Sequence, residues 1–529
     1  MLPETDAMPS ADQPKPPVDS TAIGAGDPPL RPPVPTDAVD DRPWYKTLTG
    51  YQWFVFIVCC LAWDMDCMDQ QLFNLARQPA MKELVPTVKA DDPRLPALKI
   101  QMEAKAKSTK TEKEVIDAQQ TADIGEAAGW ATSIFLIGWA VGGIAFGIMG
   151  DKVGRVKTLM VTILLYAIFT GLSAISTSPL DFFAYRFLTG LGVGGVFAAA
   201  VTLLAETMPE RSRTIIIGLF QASSALGNCG AALLSIGFGW AVYNDWFAGQ
   251  SFLGFDLTPW RLMFLVGIIP GFLVVFIQLW LKEPEKWLAQ QAAGGVKAGG
   301  SYFELLGDPQ YRSRAVFGLI LALAGVIGLW GIGFFSFDLQ RTVMDPYYQA
   351  QAKELGFADV AAQKNFVEWQ KTLWSGITSL LQNFGAFLGI FIFSYASIFA
   401  GRRPTFAVFF LLAGGMTAIV FLFFNDLTDI FWMIPLMGFF QLAIFGGYAV
   451  YFPELFPTRL RSTGTSFCYN VGRLIAAVGP AMLGLLRSHV FAAYPEPFRY
   501  AGVTMCAVFL LGLIALPFLP ETKDQPLPE

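Results

Sequence analysis

Three aspartates interrupt an otherwise apolar run, L-A-W-D-M-D-C-M-D-Q-Q-L-F, at Asp64, Asp66 and Asp69. Ionisable groups deep in an apolar segment are costly and mark function by default. On a helix, Asp66 and Asp69 share one face with Gln70 and Phe73, and Asp64 points to nearly the opposite side. Two carboxylates so placed repel when both are ionised, so in a low dielectric the pair favours keeping a proton. This is a proton-carrier arrangement, with Asp69 the expected carrier, Gln70 its support and Asp66 the group that tunes it. Asp64 is left to pair with a basic residue on a neighbouring helix. Two arginines inside apolar runs, Arg186 and Arg473, supply the opposite charge. A guanidinium is always charged and grips a carboxylate through two parallel hydrogen bonds. Arg473, with Asn470 on its face, is the expected anchor for an anionic group; Arg186 joins the proton-coupling set or simply neutralises an aspartate.

Other polar residues could line a cavity between these charges. Gln221, Ser224 and Asn228 share a helical face, Gln382 and Asn383 interrupt another apolar run, Gln441 and Tyr448 a third, and Trp330 with Phe334 forms an aromatic pair. Each alone is more often a helix–helix hydrogen bond or packing than a ligand. As a set they suggest a small, polar, partly aromatic cavity. One histidine, His489, and six cysteines without a C-x-x-C pair give no zinc site and no disulfide framework. Without a Gly-rich phosphate loop or nucleophile elbow, neither an enzyme nor a cofactor is expected.

The elements that position these residues follow from composition. At 54% hydrophobic and 15% charged residues, with 47 Phe and 14 Trp, the chain is too apolar for a soluble domain of its length and calls for a lipid bilayer as its solvent. A net charge of −5 and no dense basic cluster argue against a nucleic-acid partner. Residues 1–42, rich in Pro and Asp, read as a disordered cytoplasmic tail, and no cleaved signal precedes the first apolar segment. Twelve segments are long enough to cross a bilayer, over 51–76, 129–150, 157–176, 180–204, 213–238, 261–282, 314–337, 373–399, 404–424, 429–451, 463–486 and 499–519. The fold class is therefore an all-α membrane protein. Lys152, Arg155, Lys157, Arg211, Arg213, Arg402, Arg403, Arg459 and Arg461 all fall on one side, which the positive-inside rule makes cytoplasmic together with both termini, in the plasma (cell inner) membrane. Two outer insertions, 80–127 and 340–371, a cytoplasmic linker, 283–313, and a short tail, 520–529, complete the plan. The insertions read as a solvated cap, or as a lid or partner surface.

The chain is also a duplication. E-T-M-P-E-R-S-R at Glu206–Arg213 returns as E-L-F-P-T-R-L-R at Glu454–Arg461, and Gly154-Arg155 returns as Gly401-Arg402. The period is far longer than a solenoid repeat and makes two halves, 51–282 and 314–519, that meet at a central site. Asp151, Arg155, Glu206 and Arg211, with Glu454 and Arg459 in the second copy, sit at helix ends where pairs could form as helices close and hydrate as they part. Ile398 stands where Asp151 stands in the first copy.

These motifs resemble one family. G-D-K-V-G-R-V-K (Gly150–Lys157) is similar to the signature loop of the major facilitator superfamily, and Arg186, Gly190, Gly192 and Gly194 match its R-x-x-x-G-x-G-x-G pattern. The core Ala62, Trp63, Asp66, Asp69 is similar to the first helix of proton symporters for lactate, sialate and aromatic acids, although Cys67 replaces a small residue and Asp64 is extra. The resemblance implies twelve helices in two pseudo-symmetric halves, a monomer, and proton-coupled symport of a small organic anion by alternating access. The endings L-K-E-P-E-K-W-L (Leu281–Leu288) and L-P-E-T-K (Leu519–Lys523) resemble sugar porters, so a sugar or polyol proton symporter is the alternative. Drug efflux, for which helix 5 lacks a G-P pair, and a solute receptor that moves nothing rank lower.

Overall fold

In the computed structural model, residues 43–106, 109–292, 302–357, 359–457, 460–523 and 525 are described. The tail expected over 1–42 and part of the linker lie outside them. Residues up to Thr47 form a separate unit, which holds one short turn at Trp44–Lys46.

From Leu48 onward the chain is one unit with twelve helices long and apolar enough to cross a membrane. Helices 1 to 6 are Gly50–Leu84, Glu112–Gly150, Arg155–Ser173, Pro179–Thr207, Ile215–Tyr243 and Pro259–Trp280. Helices 7 to 12 are Pro309–Glu354, Val360–Ala400, Arg402–Phe423, Leu427–Glu454, Thr463–Val490 and Pro497–Phe518. Several run well past their apolar cores. Helix 1 continues through Pro79 to Leu84, and helix 2 begins at Glu112, where Thr111 and Glu114 form a capping box. Much of the first insertion is therefore spanning helix prolonged into water. The remainder holds a short helix, Leu95–Ala106, whose Leu95 and Leu98 pack with Val88 and Val115. Between helices 5 and 6 a two-residue hairpin pairs Ser251–Phe252 with Phe255–Asp256, turning through Leu253 and Gly254 with positive φ.

Each half is built on close helix pairs. A side chain at Gly142 of helix 2 would strike the Leu191 carbonyl of helix 4, and one at Gly389 of helix 8 would strike the Phe439 carbonyl of helix 10. Small residues let the helix backbones approach closely in both halves; Gly143 of helix 2 instead faces Asn470 of the other half.

The halves are sealed on the insertion-bearing face. Gly129 of helix 2 lies against the Pro480 carbonyl of helix 11, and the Ala481 N–H donates to Ser133 Oγ at 2.9 Å. Gln71 of helix 1 donates to Ser379 Oγ of helix 8 at 2.6 Å, Asn228 of helix 5 to Asn383 Oδ1 at 2.8 Å, and Tyr243 stacks on Trp369. On the face of the basic loops, Gly147 of helix 2 and Gly218 of helix 5 have nothing within 4 Å of where a Cβ would point. The contacts that join the halves are thus concentrated toward the insertion-bearing face.

Candidate functional site

Helix 1 carries the charged core of the first half. Asp66 and Asp69 are fully buried, as expected from their shared face. Their partners differ from the expectation: Gln70 donates to Asp66 Oδ2 at 2.9 Å, not to Asp69. Asp69 accepts from Thr170 Oγ of helix 3 at 2.6 Å and lies 3.9 Å from Arg186 Nη1 of helix 4. Arg186 also donates to Ser173 Oγ at 2.7 Å and sits over the Phe264 ring at 4.7 Å, so it does neutralise a helix 1 aspartate. The second oxygen of Asp66 is buried without a hydrogen bond, as is the Tyr166 hydroxyl, which lies within its field. Asp64, half-buried, has Ser223 of helix 5 beside it rather than a basic residue.

Arg473 reaches across from the second half. Its guanidinium lies 3.8 Å from the centroid of a Trp139 ring of helix 2 and 4.9 Å from that of Tyr469. It is 6% exposed, its Nε has no partner, and among the described residues no carboxylate lies within ion-pair distance. The acid whose charge reaches it is Asp66. A wide helical turn at Phe467–Val471 precedes it, and another at Ile327–Ile332 presents Trp330, whose ring meets Trp139 edge-on at 5.4 Å and Phe334 at 4.9 Å. Such wide turns cluster at functional sites because they re-aim side chains within a helix. Trp139 and Tyr469 carried no sequence signal beyond being aromatic within apolar runs.

Trp139 of the first half thus meets Arg473 and Trp330 of the second, Asn470 lies against Gly143, and Asp66 is the acid whose charge reaches Arg473. Gln441 donates to Thr417 Oγ of helix 9 at 2.6 Å and Tyr448 to the Leu321 carbonyl at 2.6 Å while stacked on Phe452, bonds made within the second half. Gln382 lies with its backbone carbonyl against Gly438 of helix 10, and its side-chain amide is buried without a hydrogen-bond partner. Gln221 and Ser224 are half-buried on helix 5, where the Ser224 hydroxyl donates to the Gln221 carbonyl.

At the basic loops, Arg155 forks onto Glu206 at 2.9 and 3.2 Å, and Arg402 onto Glu454 at 3.0 and 3.2 Å. Each pair lies within one half, joining the start of one helix to the end of the next. The side chains of Asp151 and Arg211, and Arg459 altogether, lie outside the described residues. The two family-like endings have a local function here. Glu283 accepts the backbone N–H groups of Arg155, Val156 and Lys157 at 2.8–3.2 Å, and Glu521 those of Arg402, Arg403, Thr522 and Lys523 at 2.8–3.1 Å. Each carboxylate caps the helix that follows a glycine with positive φ, Gly154 or Gly401.

That capping has a pH consequence. Burial pushes the Glu521 carboxyl up, but its four backbone donors pull it further down, so it titrates below the ordinary glutamate range. A depressed carboxyl contributes stability that is complete above its unfolded value and is lost as pH falls through the folded one. Thermal stability should therefore drop on acidification below about pH 4. Glu521→Gln should be roughly 0.5–1 kcal/mol less stable at neutral pH and flatter across the acid range, which melts from pH 3 to 7 would measure; superimposable curves would contradict the capping role.

A further group was missed: Arg77 of helix 1 is fully buried and bonded to Asp338 of helix 7 at 3.0 Å across the sealed face, with Arg487 of helix 11 close by.

Comparison with known proteins agrees with this architecture. The family described as Sugar (and other) transporter matches residues 99–316. A putative metabolite transport protein of Haemophilus influenzae is 31% identical over 74% of this chain and 86% of its own length. The cis,cis-muconate transport protein of Acinetobacter baylyi is 29% identical over 75% and 86%, respectively. Among solved structures, a bacterial homolog of the human lysosomal transporter Spinster, inward-facing and unoccupied, aligns with TM-score 0.58 at 18% identity, covering 89% of this chain and 96% of that one. The xylose transporter XylE from E. coli, in an inward open conformation, aligns with TM-score 0.57 at 15% identity, covering 90% and 98%. At such identities the structures show the fold alone.

Proposed function

We propose, since the chain belongs to the major facilitator superfamily of transporters, that it moves a small organic anion, an aromatic or unsaturated carboxylate, together with a proton. The observation that carries this reading is Arg473, a buried guanidinium without an ion pair, resting on Trp139 at the interface of the halves. A planar carboxylate fits there: its charge takes the guanidinium fork and its π system lies along Trp139 and Trp330. The names of relatives such as the muconate transporter point to the same class. The sugar-porter-like endings, on which the sugar alternative first rested, act as helix caps, and we favour the acid because Arg473 offers a charged partner.

Charge counting supplies the proton. Two aspartates, Asp66 and Asp69, face two arginines, Arg186 and Arg473. When a substrate carboxylate takes Arg473, one negative charge is in excess, and Asp69 already has Arg186 and Thr170. Asp66 is the group left to accept a proton, so substrate and proton enter together. The halves then rock about this site. In this reading the basic loops and both termini are cytoplasmic and the insertions lie outside the plasma membrane.

Equilibrium binding to purified protein of benzoate and cis,cis-muconate against benzamide and xylose tests the reading. We expect at least one acid to bind more than tenfold tighter than the neutral compounds, in line with a charge-assisted pair. Equal affinity for benzoate and benzamide would sink it.

A further inference from the structure

Arg77, Asp338 and Arg487 meet where the sealed face narrows, at 0%, 3% and 4% exposure. Arg77 holds Asp338 Oδ2 through Nε at 3.2 Å and Nη2 at 3.0 Å, also donates to the Phe334 carbonyl at 2.8 Å, and lies 3.5 Å over Phe335. Arg487 is situated differently. It lines one small cavity with Asp338, Gln78 and Phe498, and it lies within the field of Asp338. Among the described residues it has no hydrogen bond or ion pair, its Nε is buried unpaired, and its guanidinium rests 4.7 Å from the Phe498 ring centroid. Arg341 also lies within the field of Asp338, and Glu126 accepts from Ser488 next to Arg487. One carboxylate therefore faces three guanidiniums, and among the described residues the buried charge of Arg487 has no ion pair. Such a charge costs several kcal/mol, which is relieved if pairing changes in another state.

Topology decides which pairing changes. Asp338 and Arg487 belong to the second half and Arg77 to the first, so parting the halves at this face carries Asp338 away from Arg77 in company with Arg487. We propose that Asp338 then pairs with Arg487, and that the released Arg77, with Thr132 beside it at 3.4 Å, is a capture site where the carboxylate of an external organic anion binds before it reaches Arg473. Resealing returns Asp338 to Arg77, and this exchange displaces the anion inward. The site rests on the anion-symport reading above and extends it to where substrate first binds.

The test is sided kinetics with the full chain, using whichever of benzoate and cis,cis-muconate binds more tightly. Uptake into cells gives KM and kcat from outside, and efflux from preloaded cells gives KM from inside. Arg77→Gln should raise the uptake KM about tenfold, as for a lost charge-assisted pair, with the efflux KM unchanged; Arg77→Lys should raise it less, because it keeps the charge without the fork. If Arg77→Gln fails to reach the membrane, the Lys variant carries the test alone. Arg487→Gln should leave the uptake KM alone and lower kcat several-fold, since Asp338 then has nothing to leave Arg77 for. Equal rises of both KM values in Arg77→Gln, or an unchanged uptake KM, would overturn the capture site while leaving wild-type exchange, and with it the transport reading, intact. Wild-type protein that binds neither acid overturns both.

Discussion

Arg473→Lys should bind benzoate or muconate roughly ten- to a hundredfold more weakly than the wild type, and Arg473→Gln should leave no measurable binding. A guanidinium presents a planar fork to a carboxylate, whereas an ammonium offers one compact and strongly hydrated charge. At Arg473 the difference is enlarged by the setting. The guanidinium carbon lies 3.8 Å from the centroid of a Trp139 ring, a contact that an ammonium on a flexible stem does not reproduce. Removing the charge entirely asks a substrate carboxylate to enter a buried site uncompensated, and breaking a buried pair costs about 3–5 kcal/mol. Titration calorimetry on purified protein checks both variants. Undiminished affinity in Arg473→Gln would place the substrate charge elsewhere, and Arg186, already engaged with Asp69 and Ser173, is the remaining internal arginine of the original pair.

The twelve spans and the duplication were legible because both rest on long signals: apolar runs of bilayer length and motifs repeated in order. Arg473 was legible because a lone charge inside such a run stands out. Arg77, Asp338 and Arg487 escaped for a physical reason common to all three. Each sits one position past the end of an apolar run, at 76, 337 and 486, where hydropathy assigns water. Tertiary packing buries them because the helices continue: helix 1 to Leu84, helix 7 to Glu354 and helix 11 to Val490. Good helix formers carry a helix beyond its apolar core, and hydropathy does not see them.

Periodicity was limited in a different way at Gln441 and Tyr448. It states which face of a helix a residue occupies but not which neighbour that face meets, and here those faces meet helices of the same half. Gln70 shows the same limit on a smaller scale. It is next to Asp69 in sequence and one turn from Asp66, and only the structure shows that its amide turns back to Asp66 at 2.9 Å. Along a helix, side chains three and four apart meet while adjacent ones diverge, so the turn-away partner was the physically favoured one.

That reassignment decides the coupling experiment. If Asp66 takes the proton that accompanies the substrate, Asp66→Asn is neutral in every state and carries no proton across. It should lose accumulation driven by an inward pH gradient while retaining counterflow of labelled anion, because substrate binding at Arg473 and movement of the halves survive. Asp69→Asn should behave differently. Its carboxylate is held by Thr170 and faces Arg186, and neutralising it leaves a fully buried guanidinium without its counter-charge. The expected result is a loss of about 3–5 kcal/mol of stability and little folded protein, with partial recovery in Asp69→Asn/Arg186→Gln, where both charges are gone. Proteoliposomes with an imposed pH gradient and no sodium separate the roles. If Asp66→Asn still accumulates anion in full response to that gradient, and Asp69→Asn folds normally but does not accumulate, the coupling proton belongs to Asp69 and the charge count that assigns it to Asp66 is wrong.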